Sequence, residues 1–107
     1  MKAQLITFAA VVLLSTNAVA DKESDALCEL YTNVARDVME ARQKDLPMPK
    51  VMEIYGSADK GFGAVGRAMV RDAYDEPSWG SEDRKAQAAR EFANDFASDC
   101  YRIYEGR

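Results

Sequence analysis

Two clusters of acidic residues are the first features whose types and spacing could do chemistry. They are Asp72, Asp75 and Glu76, followed by Glu91, Asp95 and Asp99. The second cluster recurs at every fourth residue, so its members share one side of a helix. Paired carboxylates can act as the acid and base of a glycosidase, but only in a cleft that raises the pKa of one member. Calcium needs a loop that wraps the ion, and the first cluster lacks that pattern, so we expect solvated surface at both clusters.

A glycine motif suggests a second kind of chemistry. Gly61–Gly66 matches the G-x-G-x-x-G pattern of dinucleotide-binding loops. That pattern binds pyrophosphate where a strand runs into a helix, because backbone amides and the helix N-terminus then face the anion. Here the preceding segment is predicted to be helix and loop, with no strand for a βαβ unit. We therefore expect a closely packed helix start and no nucleotide cofactor.

The absence of histidine removes most catalytic and metal-binding arrangements. With no histidine and two cysteines, the chain cannot form Ser–His or Cys–His pairs or a histidine ligand set. Catalysis by lysine, tyrosine or a carboxylate stays open, but no pattern locates it. The sequence therefore predicts no catalytic residue, no metal and no cofactor, with a small hydrolase or ligand carrier as an alternative.

The first 20 residues have the order of a secretory signal peptide. Lys2 gives a positive start, residues 5–14 are apolar, and Ala18-Val19-Ala20 forms an A-x-A cleavage site. This apolar run is shorter than the ~20 residues that span a membrane, so we expect cleavage rather than anchoring. The prediction is a single mature domain of residues 21–107 that begins at Asp21 and is periplasmic or secreted.

The charge balance limits the classes of molecule that such a domain is expected to bind. The chain has 14 basic and 18 acidic residues, and its lysines and arginines form no run. Binding to nucleic acid needs a concentrated basic face, and binding to anionic lipid needs an excess of basic residues. We therefore predict another protein as the partner, with no nucleic acid and no membrane span after cleavage.

Four helices are predicted along the mature chain, over residues 25–44, 50–55, 62–74 and 81–104. Ser24 and Ser81 are the expected caps of the first and last, and Pro47 is expected to end the first. Apolar faces are predicted to include Leu30 on the first helix, Phe62 and Val65 on the third and Ile103 on the last. No segment alternates like a strand, so the class is all-α.

Cys28 and Cys100 lie near opposite ends of the mature chain. An even cysteine count in a small exported domain predicts a disulfide, although two buried free thiols or an intermolecular bridge are alternatives. Cys28 lies 16 residues from Lys44 at the end of the first helix, and Cys100 lies 16 residues from Arg84 in the first turn of the last helix. The sequence therefore predicts a small bundle whose first and last helices are antiparallel and joined by this disulfide.

Aromatic and arginine side chains mark two possible interfaces. Trp79 lies in a predicted loop, and Tyr101, Arg102, Tyr104 and Arg107 crowd the C-terminus. These residue types commonly anchor protein interfaces. The alternative for Trp79 is that its ring covers one end of a small core.

Several short motifs together resemble a group of small exported helical proteins of proteobacteria and their phages or prophages. They are Cys28, Met39-Glu40-Ala41-Arg42-Gln43, Ala73-Tyr74-Asp75-Glu76-Pro77, Phe96 and Cys100-Tyr101. The resemblance implies an exported helical domain with one disulfide, and it transfers no active site.

Three functions are compatible with these features. The leading hypothesis is a periplasmic protein-interaction module, such as an inhibitor, an immunity-type protein or an envelope accessory. The first alternative is a periplasmic stress chaperone of the acid-activated kind, and the second is the small hydrolase or ligand carrier.

Overall fold

The chain is built from helices wherever its structure is described. A computed structural model describes the backbone of residues 2–57 and 63–105 and the side chains of residues 21–57 and 63–105. Within those ranges there is no strand, and the helices are α1 (Lys2–Gln43), α2 (Met48–Tyr55), α3 (Gly63–Asp75) and α4 (Glu82–Glu105). The predicted all-α class is confirmed.

The longest helices, α1 and α4, form the antiparallel pair that the sequence predicts. They make the most extensive contact in the bundle, and a Cys28–Cys100 disulfide joins them with their Cα atoms 5.6 Å apart. At the other end of the pair, Lys85 Nζ donates a hydrogen bond of 2.7 Å to the Gln43 carbonyl oxygen. The disulfide and this hydrogen bond lie about 22 Å apart along α1 and the same distance apart along α4.

The core lies along α1, where α4 packs on one side and α2 and α3 on another. Its buried side chains are Val34, Ala35, Val38, Met39, Val51, Met69, Val70, Ala73, Ala89 and Phe92. While α2 and α3 pack against each other, α3 and α4 make only sparse contact. An open channel therefore remains between α3 and α4.

The predicted start of the first helix is wrong for the full chain, because α1 begins at Lys2 and Ser24 lies inside it. No glycine or proline interrupts residues 2–24, so nothing in the backbone chemistry stops the helix there. Ser81 does cap α4, since its Oγ accepts a hydrogen bond of 3.2 Å from the Arg84 amide.

The C-terminus of α1 ends in a Schellman motif rather than at Pro47. Asp45 adopts a left-handed conformation with φ 59°. Its amide donates to the Arg42 carbonyl, and the Leu46 amide donates to the Ala41 carbonyl. This pair of hydrogen bonds satisfies the last carbonyls of the helix and turns the chain toward α2.

Three residues assigned to apolar faces are exposed instead. Leu30 on α1 is 47% exposed. Val65 is 38% exposed, and Ile103 is 65% exposed. The buried face of α3 runs through Gly66, Met69, Val70 and Ala73, so Val65 falls to its side. Ile103 lies one turn beyond Cys100, the last buried residue of α4. Phe62 and the first residues of the glycine motif lie outside the described residues.

Gly56 allows the close approach of α2 to α3. A Cβ atom at this position would lie 2.7 Å from the Met52 carbonyl oxygen and 2.8 Å from Arg67 Cγ. Gly56→Ala is expected to lower the free energy of unfolding by about 1–3 kcal/mol, because the backbone must shift to remove the overlap. Chemical denaturation of the two proteins measures the difference.

The matched control for this substitution is Gly80→Ala. Nothing lies within 4 Å of a Cβ atom at Gly80, so this variant is expected to be neutral or slightly more stable. Equal stability of the two variants would contradict the close approach at Gly56.

Candidate functional site

Gln43 fixes the loop between α3 and α4 to the end of α1. Its side chain is buried, with 4% exposure. Gln43 Nε2 donates to the Pro77 carbonyl oxygen over 2.9 Å, and its Oε1 accepts from the Trp79 amide over 2.9 Å. Gln43 Nε2 also lies 3.4 Å from Met39 Sδ. One side chain therefore satisfies the backbone of the loop at two points.

The neighbouring Arg42 ties down the end of α3. Its Nε donates to the Glu76 carbonyl oxygen over 3.0 Å, and its guanidinium lies 5.1 Å from the centre of the Tyr74 ring. The Tyr74 hydroxyl donates a hydrogen bond to the Leu46 carbonyl. Burial raises the pKa of Tyr74, with Arg42 lowering it and Asp45 raising it. The hydroxyl therefore stays protonated as a donor at neutral pH.

The two acidic clusters face each other across the channel between α3 and α4. Their carboxylates line a depression of about 370 Å³ together with two phenylalanines: Asp72, Asp75, Glu76, Phe92, Asp95, Phe96 and Asp99. No lysine or arginine is among these lining residues. All the carboxylates of both clusters are exposed, as expected for solvated surface. The two clusters are separate in sequence, and the fold brings them together.

A smaller depression of about 120 Å³ extends this surface toward the loop. It shares Glu76, Phe92 and Asp95 with the first depression, and its further lining includes Trp79, Glu91, Gln87 and the basic residue Arg84. We call the combined surface the acidic groove, defined by the carboxylates of both clusters, Phe92, Phe96 and Trp79. The row from Glu91 to Asp99 extends about 12 Å along α4.

The floor of the acidic groove is aromatic. Phe92 and Phe96 lie one turn apart on α4, with ring centroids 5.1 Å apart and planes tilted by 54°. Phe92 belongs to the core and Phe96 is half-buried. The groove therefore combines an apolar floor with anionic walls.

The residues proposed as interface anchors lie at two separate places. Trp79 closes one end of the acidic groove, and the Arg84 guanidinium stacks over its indole 4.1 Å from the ring centre. Tyr101 and Tyr104 instead line a depression of about 290 Å³ with Asp25, beyond the disulfide. The structure therefore does not unite these residues into one surface.

Arg102 lies between these two surfaces. Its Nη1 is 3.5 Å from an Asp99 carboxylate oxygen, and both side chains are largely exposed. An exposed ion pair of this kind contributes little free energy, so another cation can replace Arg102 beside Asp99. Arg107 lies outside the described residues.

The sequence analysis missed Gln43, although a signal for it is present. Gln43 is four residues after Met39 and continues the buried face of α1. A polar side chain on a predicted apolar face needs hydrogen-bond partners when it is buried. That requirement could have identified Gln43 as the residue that holds a loop.

The carboxylates of the groove do not gather around one point. In the part of the chain with described side chains, no group of three or more Asp, Glu, His or Cys residues could hold a metal ion. Over the same residues, no helix is long and apolar enough to cross a membrane. The groove is therefore an extended surface rather than an ion cage.

No protein-family model matches the chain, and no curated protein or solved structure is significantly similar to it.

Proposed function

We propose that the chain is an exported, non-catalytic interaction module that binds another protein through the acidic groove. The observation that carries this proposal is the convergence of two acidic clusters from different helices around the Phe92–Phe96 pair. Concave surfaces with an apolar floor and a polar rim are typical of sites where a partner docks.

Electrostatics supports a binding role for the groove. The carboxylates of both clusters face one channel, and like charges close together repel each other. Folding alone gains nothing from this arrangement, whereas a partner with complementary charge removes the repulsion on binding. The groove therefore has the properties of a surface that is completed by a second molecule.

The supports of the groove make it rigid before any partner arrives. Gln43 and Arg42 hold the loop at one end through backbone hydrogen bonds. The Cys28–Cys100 disulfide holds α4 to α1 at the other end. A surface already fixed in its bound shape loses less conformational entropy on association, which favours affinity.

The same disulfide supports the proposal of export. Disulfides persist in oxidising compartments such as the bacterial periplasm and are rare in the cytosol. Together with the signal-like residues 1–20, this favours cleavage between Ala20 and Asp21 and a periplasmic or secreted mature protein.

Site-specific photo-crosslinking in exporting cells tests the proposed function. The photoreactive amino acid p-benzoylphenylalanine is incorporated in place of Phe96 in the acidic groove, or of Gln87, which lines the smaller depression of that groove. The exposed Ala26 is the control position. We expect a discrete crosslinked protein from the two groove positions, because the partner lies within reach there, and none from Ala26. Immunoblotting and mass spectrometry identify the product.

The crosslink must also depend on the chemistry of the groove. Adding Asp72→Asn and Asp95→Asn to the crosslinking variants is expected to reduce the yield at both groove positions. Crosslinks of equal yield from Ala26, or a yield that is insensitive to these substitutions, would contradict the proposed function.

A further inference from the structure

We propose that the occupant of the acidic groove is a lysine- and arginine-rich protein segment that carries large apolar side chains. This inference rests on the proposed function and specifies the chemistry of the partner. It follows from the charge of the walls, the spacing of the carboxylates and the aromatic floor.

The charge of the walls sets the charge of the occupant. Five carboxylates and no basic side chain line the larger depression. Arg84 lines the smaller depression and Arg102 pairs weakly with Asp99, so the acidic groove keeps an excess of negative charge. An acidic segment would add to their repulsion, and a neutral one would desolvate carboxylates without pairing them. Only a cationic segment offsets the charge, and complementary charge also speeds the encounter.

The spacing of the carboxylates sets the spacing of the cations. Glu91, Asp95 and Asp99 are four residues apart on α4, which places them at intervals of about 6 Å along the groove. Asp72 and Asp75 line the opposite wall. The segment therefore presents basic side chains along both edges, at intervals of about one helical turn.

The aromatic floor of the acidic groove requires apolar side chains on the occupant in addition to positive charge. The half-buried Phe96, together with the small exposed part of Phe92, offers an apolar surface between the two acidic walls. Leucine or aromatic side chains of the partner bury their surface there, and lysine and arginine stems cover its edges while their charges reach the walls. The occupant is thus amphipathic, with its apolar face toward α4.

A peptide titration tests this inference on protein purified from exporting cells. The probe is a short synthetic amphipathic peptide of lysine and leucine with blocked termini, and two control peptides replace all lysines by glutamine or all leucines by serine. We expect the lysine–leucine peptide to bind, and both controls to bind about tenfold or more weakly. Binding should also weaken as salt rises, because ions screen exposed charges.

A pair of charge-matched variants distinguishes the groove from general attraction to an acidic protein. Asp72→Asn/Asp95→Asn/Asp99→Asn neutralises the groove, whereas Glu29→Gln/Asp37→Asn/Glu53→Gln removes the same charge from exposed positions elsewhere. The groove variant is expected to bind the peptide about tenfold more weakly than the control variant. Circular dichroism confirms that both variants remain helical.

Each contrary outcome has a defined meaning. Equal weakening in both variants would show nonspecific attraction and overturn the inference. Equal affinity for the glutamine peptide would overturn its charge requirement, and equal affinity for the serine peptide would overturn its apolar requirement. If these failures occur while the groove crosslinks persist, the proposed function stands without this partner chemistry. Loss of the crosslinks as well would reject both.

Discussion

Replacing both cysteines by serine is expected to lower the melting temperature by about 10–25 °C while leaving the cold protein helical. The two cysteines are 72 residues apart, and a loop of that size removes ~4 kcal/mol of unfolded-state entropy in the chain-entropy model. For a domain this small, that contribution is comparable with the net stability. Thermal denaturation followed by circular dichroism measures the shift.

The reduced wild type is the natural control for this double variant. It should melt close to Cys28→Ser/Cys100→Ser, since both lack the same crosslink. An unchanged melting temperature in the variant, or two free thiols titrated in the exported protein, would contradict a stabilising disulfide and favour a redox or partner-linked role.

Gln43→Ala is expected to have the second largest effect, a loss of about 2–4 kcal/mol in the free energy of unfolding. The substitution removes the hydrogen bonds to the Pro77 carbonyl and the Trp79 amide. It also leaves a space in the buried face of α1. Because Trp79 is the sole tryptophan, a shift of its fluorescence emission to longer wavelength would report release of the loop.

Gln87→Ala is the matched control. The Gln87 amide is exposed and donates only to Glu91, one turn along the same helix. Its removal is expected to cost less than about 0.5 kcal/mol and to leave the emission maximum in place. Wild-type stability and emission in Gln43→Ala would reject the role assigned to Gln43.

The helices were predictable because their signals are local in the sequence. The pairing of α1 with α4 was predictable because one disulfide determines it. Apolar periodicity identified the three longer helices, and Pro49 and Gly56 marked the ends of the short second one. The positions of Cys28 and Cys100 near opposite ends of the mature chain indicated an antiparallel pair. The stop at Asp45 was missed because a left-handed aspartate is less distinctive in sequence than the usual glycine. Pro47 marked the region of the stop but not its mechanism.

The acidic groove could not be predicted from the sequence because it depends on a space between two helices, α3 and α4, that make little contact. Asp72 and Asp95 meet across a channel that exists only because α3 packs on α1 and α2 rather than on α4. The buried face of α3, which includes Gly66 and Val70, determines that this helix packs on α1 and α2. Periodicity within each helix does not say which helices pack together, so the two acidic clusters could not be assigned to one surface.

The measurement that tests the central claim most directly is a map of amide chemical shifts in the exported protein, with and without the partner identified by crosslinking. Binding at the acidic groove predicts that the perturbed amides lie in residues 72–79 and 87–99. It also predicts that the far end, around Asp25 and Tyr101, is unchanged. Perturbations confined to residues 21–30 and 100–105, with the groove amides unmoved, would contradict the account.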